Sequence, residues 1–192
     1  MNILLLGPQG SGKGTQAKRI ADEYGHAHIA TGDMLRHAIA VGTPLGLQVK
    51  QIVESGGLVP DDLMINLIRE RLEEEDTREG FILDGFPRTM AQARALDEML
   101  HEIDRDLDIV FALDVDDATA VDRLHKRAME EGRKDDTPDA IARRLADYHD
   151  KTKPLIGYYR LRDNLVGIHG ENPIDQVFGE IQEALQTVAA RS

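Results

Sequence analysis

Gly7-Pro8-Gln9-Gly10-Ser11-Gly12-Lys13-Gly14-Thr15 follows the apolar run Ile3-Leu4-Leu5-Leu6 and leads into the helix-like segment Gln16-Ala17-Lys18-Arg19-Ile20. Strand, glycine-rich turn and helix is the context in which such a loop cradles phosphate. Its glycines reach backbone conformations closed to other residues, so successive N–H groups turn inward on an anion. The new helix adds the positive end of its dipole. Lys13 supplies a mobile charge. The spacing from Gly7 to Gly12-Lys13 fits a nucleotide triphosphate loop. Gly14 stands where the strict pattern has Ser or Thr, so the direct magnesium hydroxyl is missing or displaced to Thr15.

Working outward, the helix over 13–24 ends at Gly25, a suitable left-handed C-cap. Residues 26–30 read as a short strand. Thr31-Gly32-Asp33 reads as an N-cap cluster for a helix from Met34, and a second short helix covers 45–55. Both are bracketed by Gly and Pro, like a small excursion from the core. Asp61 or Asp62 caps a helix carrying Leu63, Ile65, Leu67, Ile68 and Leu72, which ends in the solvated acidic run 73–76. Phe81-Ile82-Leu83-Asp84 is an apolar strand ending in a carboxylate, followed by a helix over 89–102, a strand over 109–113 and a helix over 117–129. Thr137-Pro138 starts the next helix, with Ile141, Leu145 and Tyr148 on one face and Arg144 at its border. Arg143 points elsewhere, and Pro154 and Gly157 interrupt or bend that helix. A strand over 165–168 and a helix over 174–189 close the chain. Short apolar strands alternating with helices predict an α/β fold: a three-layer sandwich whose central five-stranded parallel sheet is covered on both faces.

At 192 residues the chain can bury a respectable core, with 41% apolar and 30% charged residues. A net charge of −12 and no Trp argue against a nucleic-acid surface. A molecule this acidic that binds phosphate must gather its cations locally. The absence of cysteine excludes disulfides and thiolate zinc sites, and the seven His residues form no metal-ligand spacing. The apolar start stops at Leu6 without a basic leader, so neither a signal peptide nor a membrane span is expected, and the default compartment is the cytoplasm.

In open parallel sheets ligands sit beyond the carboxyl ends of the strands. The distinctive residues fall there: 7–15, 31–36, 84–88 and the loop at Gly170. Lys13 with Asp84 resembles the lysine and strand-end carboxylate of phosphate-loop enzymes, in which the carboxylate orders magnesium, here through its waters. Gln92 lies one helical turn beyond Arg88, so both can face one pocket, and an amide that donates and accepts suits an adenine edge.

The glycine loop, Thr31-Gly32-Asp33, Asp84-Gly85-Phe86-Pro87-Arg88 and Arg133-Lys134-Asp135-Asp136, in that order over nearly the whole chain, resemble the nucleoside monophosphate kinases, and most closely the adenylate kinase family. Gly14, the departure from the strict loop, is what that family has. The resemblance implies reversible phosphoryl transfer from MgATP to AMP giving two ADP, with Mg²⁺, without zinc, by a monomer that binds neither nucleic acid nor membrane. It implies that Gly10, Ser11, Gly12, Lys13, Gly14 and Thr15 hold ATP phosphates, with Arg123 and Arg127 alongside and Asn172 near the adenine. Thr31, Arg36, Gly57, Leu58, Val59, Gly85, Phe86, Pro87, Arg88 and Gln92 form the implied AMP site. Arg133 and Arg144 reach the phosphates being exchanged. Lys13, Arg88, Arg123, Arg127, Arg133 and Arg144 carry the implied catalytic charge, and Asp84 the metal.

The implied organisation is a monophosphate-binding subdomain at 30–59 and a very short lid at 127–133. The core then comprises 1–29, 60–126 and 134–192. The lid lacks the length and the cysteines found in many bacterial relatives, which removes the ground for a large lid motion. Two alternatives share these motifs: a UMP or CMP kinase, and a non-catalytic adenine-nucleotide sensor.

Overall fold

The computed structural model describes residues 1–133 and 135–190; Lys134 of the Arg133-Lys134-Asp135-Asp136 stretch lies outside the described residues. In chain order, β1 (Asn2–Leu6) is followed by α1 (Lys13–Tyr24), β2 (Ala27–Ala30), α2 (Thr31–Val41), α3 (Pro44–Glu54) and α4 (Asp61–Leu72). Then come β3 (Phe81–Asp84), α5 (Met90–Glu102), β4 (Ile109–Asp114), α6 (Asp117–Glu131), α7 (Pro138–Asp147), α8 (Pro154–Arg160), β5 (Leu165–His169) and α9 (Ile174–Ala189). The five strands form one parallel sheet in the order β2-β3-β1-β4-β5. The expected three-layer α/β architecture is the one observed.

Strand β1 shows why the sheet is covered on both faces. Its period-two alternation sends Leu4 and Leu6 into a core shared with α4, α5 and α8, and Ile3 and Leu5 into a second core under α1 and α9. All four are at most 2% exposed, and each buried side chain of this size contributes about 1.5–3 kcal/mol. A third, smaller cluster of Val115, Ala120, Leu124, Ile141 and Leu145 joins α6 to α7. The chain leaves β1 for β2 on one side and leaves β3 for β4 on the other, so winding reverses between β1 and β3. The glycine loop and Asp84 flank that reversal, where open α/β sheets form a ligand crevice.

Local signals mostly hold. Gly25 ends α1 in the left-handed conformation, with φ 71°, and Thr137 caps α7 by accepting from the Ala140 N–H. Helix α2, however, begins at Thr31 rather than Met34 and has no side-chain cap. The Thr31 hydroxyl donates to the Asp84 carbonyl at 3.2 Å, pinning the start of α2 to the end of β3. Neither Asp61 nor Asp62 caps α4: the cap position is Pro60, and Asp61 is already helical. Helix α6 runs to Glu131, two residues beyond expectation, before Gly132 turns left-handed. The break before Pro154 is a wider turn over Tyr148–Thr152, closed by the Lys153 N–H on the Tyr148 carbonyl at 2.8 Å; Gly157 stays inside α8.

Candidate active site

The glycine loop is built so that only glycine fits where it turns. At Gly10 φ is 84°, and a methyl group there would lie 2.5 Å from the Ala120 carbonyl oxygen. Gly12 is left-handed and no side chain caps α1, so its first N–H groups remain available to an anion. The Lys13 ammonium folds over its own loop, donating to the Gly7 and Pro8 carbonyls at 2.7 and 2.8 Å. Arg123, from α6, bridges the loop to the end of β5 by donating to the Gly10 carbonyl at 3.3 Å and the Gly170 carbonyl at 2.9 Å.

Two buried carboxylates then tie three arginines together. Asp136, whose side chain is fully buried, accepts from Arg127 at 2.7 and 2.8 Å and from Arg144 at 2.8 Å. Asp135 accepts from Arg144 at 2.6 Å and from Arg36 of α2 at 3.3 Å. Arginines from α2, α6 and α7 are therefore held by a pair of adjacent acids. Arg133 donates to Glu131 at 2.6 Å.

Beyond β3 the cis Phe86-Pro87 bond leads to Arg88, whose Nε donates to the Gly85 carbonyl at 2.7 Å. Thr152, brought inward by the wide turn, donates from its hydroxyl to the Arg88 carbonyl at 2.9 Å. Gln92, in the first turn of α5, accepts from the Arg88 N–H at 2.7 Å and donates to Asp61 at 2.8 Å.

These groups line one cleft of about 710 Å³, with eight cationic side chains and four carboxylates on its wall. In a chain of net charge −12 this is the local gathering of cations that phosphate binding demands. Burial lowers Lys13 to about 8, and the nearby Arg88 and Arg127 charges act in the same direction while Asp84 opposes them. Burial, followed by the neighbouring Arg144 charge, lowers Arg88 to about 10. Crowded, partly desolvated positive charge of this kind is relieved by an anion. Burial alone would raise Asp84, but its contact with His28 and the Lys13 and Arg88 charges hold it below the ordinary carboxylate value.

Gly10, Gly12, Lys13, Gly14 and Thr15 share the cleft wall with Arg123 and Arg127. Thr31, Arg36, residues 57–59, Gly85, Pro87, Arg88 and Gln92 line the same cleft, as do Arg133, Arg144 and Asp84. Three expected residues do not reach the wall. Ser11 is 2% exposed beneath the loop, Phe86 is anchored in the core, and the Asn172 amide donates to Glu180 at 3.1 Å. Their part is to shape the backbone beside them.

The sequence model of the adenylate kinase family matches residues 5–164. The chain belongs to the adenylate kinase family. It is 50% identical over 187 residues to the adenylate kinase of Methylorubrum populi, covering 94% of each chain. It is 47% identical over 185 residues to that of Xanthomonas euvesicatoria pv. vesicatoria, covering 96% of this chain and 99% of the relative. With the adenylate kinase of Nitrobacter winogradskyi it shares 47% identity over 192 residues, covering 97% and 93%.

Sequence reasoning missed several residues of this adenylate kinase cleft. Asp147, Tyr148 and Thr152 line it alongside Arg144. The spacing of four from 144 to 148 to 152 marks one helical face and was the available signal. Nothing in the pattern of Asp135-Asp136 distinguishes two buried anchors from a solvated acidic pair.

Proposed function

We propose that the enzyme transfers the γ-phosphoryl group of MgATP to AMP, giving two ADP. The observation that carries this reading is the continuity of one cleft from the glycine loop to Gln92, with Lys13, Arg88, Arg127, Arg133 and Arg144 on its wall. In this reading Gly10 to Thr15, Arg123 and Arg127 serve ATP. Thr31, Arg36, the 57–59 backbone, Gly85 to Arg88 and Gln92 serve AMP. Arg133 and Arg144 act where the two phosphate chains meet. Residues 30–59 are the monophosphate-binding subdomain and 127–133 the short lid; the protein works as a cytoplasmic monomer. Among the described residues no helix is long and apolar enough to cross a membrane.

An AMP phosphate oxygen attacks the γ-phosphorus in line. The new O–P bond forms as the bond from the γ-phosphorus to the β,γ-bridging oxygen breaks, and that oxygen leaves with ADP. The nucleophile is already anionic, so no general base is required. What remains is to hold two like-charged groups together, neutralise the transferring phosphoryl, and exclude water. Arginine's planar, permanently charged fork suits all three phosphate contacts.

Asp84 fits the magnesium that accompanies ATP. A methyl group on Gly14 would lie 3.4 Å from Asp84 Oδ2, so this anionic carboxylate faces the start of α1. One carboxylate acting through water, with the Thr15 hydroxyl and substrate oxygens, matches the hard, hydrated coordination of Mg²⁺. When bound, the ion supplies charge neutralisation across the β- and γ-phosphates.

Initial rates with MgATP and each of AMP, UMP and CMP test the reading. ADP formation strongest with AMP supports it. Preference for a pyrimidine monophosphate, or nucleotide binding without ADP formation, overturns it.

A further inference from the structure

Gln92 is 2% exposed, yet it lines the cleft. Both ends of its amide are held, and by unlike partners. Oε1 accepts from the Arg88 N–H at 2.7 Å, while Nε2 donates to Asp61 Oδ1 at 2.8 Å. A backbone N–H can only donate and an ionised carboxylate can only accept, so the two partners allow one orientation of the amide. Asp61 is itself fixed by its place at the start of α4 and by the Thr89 hydroxyl, which donates to the same Oδ1 at 2.9 Å. Thr89 Oγ1 in turn caps α5 by accepting from the Gln92 N–H at 3.2 Å. Asp61, Thr89 and Gln92 close a ring of hydrogen bonds, to which the Arg88 N–H is joined through Gln92.

We propose that Asp61 is a positioning residue that makes the monophosphate site select a 6-aminopurine over a 6-oxopurine, by locking the Gln92 amide. The proposal rests on the reading of Gln92 as the base-contacting residue. In the locked orientation the amide keeps one oxygen lone pair and one N–H for the base. That pair matches an exocyclic amine, which donates, next to a ring nitrogen, which accepts. A 6-oxopurine presents the reverse, an accepting oxygen beside a donating ring N–H. To meet it the amide would have to turn over, setting Nε2 against the Arg88 N–H and Oε1 against the Asp61 carboxylate. Both contacts would then be like against like in a buried setting, where unmatched polar groups are costly.

Among the described residues the hydrogen bonds of the Asp61 side chain go to Thr89 and Gln92 and to no glycine-loop residue or arginine side chain, so its effect is expected at the acceptor base. Asp61→Asn keeps the size of the side chain, and its amide nitrogen, set in the place of Oδ1, can donate both to a turned Gln92 Oε1 and to Thr89 Oγ1. It therefore removes the Asp61 half of the lock and leaves only the Arg88 N–H to favour the original orientation. The experiment measures kcat/KM for AMP and for IMP, KM for ATP and the melting temperature in the wild-type enzyme, Asp61→Asn, Asp61→Ala and Gln92→Ala. The expected result is an AMP-to-IMP preference reduced about tenfold in Asp61→Asn, carried by KM for the monophosphate, with KM for ATP and the melting temperature unchanged. Asp61→Ala should weaken the preference as well, even if it melts earlier. If Gln92→Ala abolishes the preference while both Asp61 variants keep it, Asp61 only ties α4 to α5 and the proposal is wrong. If Gln92→Ala also keeps the preference, the reading of Gln92 fails and the proposal fails with it.

Discussion

Arg144 donates to Asp135 Oδ2 at 2.6 Å, and the side chain of Asp135 is only 5% exposed. Arg36, from α2, reaches the same oxygen at 3.3 Å. Asp136 next to it holds Arg127 and the other nitrogen of Arg144. Three arginines on the cleft wall are thus presented by anions built into the fold, which keeps like charges from three helices in one place.

Removing one of those anions should unfold more than it frees. With Asp136 fully buried between Arg127 and Arg144, Asp136→Ala leaves two guanidinium groups short of their partner. The expected loss is about 3 kcal/mol of unfolding free energy, read from denaturant titration. A loss below about 1 kcal/mol, the range of an exposed pair, would mean the arginines are held by something else.

Asp135 sets a limit in acid. Burial pushes Asp135 upward, but the Arg144 hydrogen bond and charge, with Arg36, hold it below the ordinary carboxylate value. A carboxylate lowered by folding adds stability that is complete above its unfolded value, about 4, and is lost as pH falls through its folded value. Stability should therefore fall below about pH 4, and Asp135→Asn should be less stable at pH 7 with a shallower acid limb. Parallel acid limbs in the two proteins would contradict this.

Lys13 makes the opposite demand at alkaline pH. Its value near 8 belongs to the free enzyme, and phosphate oxygens beside the ammonium would raise it. Binding of ATP at pH 8.5 should then take up protons, whereas binding at pH 6.5 should take up none at this residue. Calorimetry in buffers of differing ionisation enthalpy measures the uptake. Equal proton counts at the two pH values would place Lys13 away from the phosphates.

Arg88 stands among other cations, with Arg144 its strongest repulsive neighbour. Arg88→Ala should lower kcat about 10²- to 10³-fold with circular dichroism unchanged. A rate within a few-fold of wild type would remove Arg88 from the transfer step.

The layers of this fold were legible because β1 reads as a short continuous apolar run, the mark of a strand buried on both faces, and is followed by a glycine turn and a helix. The site was legible where backbone chemistry dictates residue type, as at Gly10, or where one charge stands in an apolar setting, as at Asp84. It was hidden where the partner is distant in sequence. Thr31 looked like a cap because its real partner, the Asp84 carbonyl, lies 53 residues away. Asp61 looked like a cap for the same reason, its partners Thr89 and Gln92 being 28 and 31 residues on. Local propensity cannot distinguish a side chain that caps its own helix from one that orients a neighbouring helix.

Phosphate should pass directly between two nucleotides that meet end to end in one cleft closed to water. Phosphorus-31 NMR of purified enzyme with equimolar MgATP and AMP measures this. ADP resonances should grow to equilibrium with no inorganic phosphate, and omitting AMP should leave ATP intact. Inorganic phosphate appearing at a rate comparable to ADP, or ATP unchanged in the presence of AMP, would contradict it.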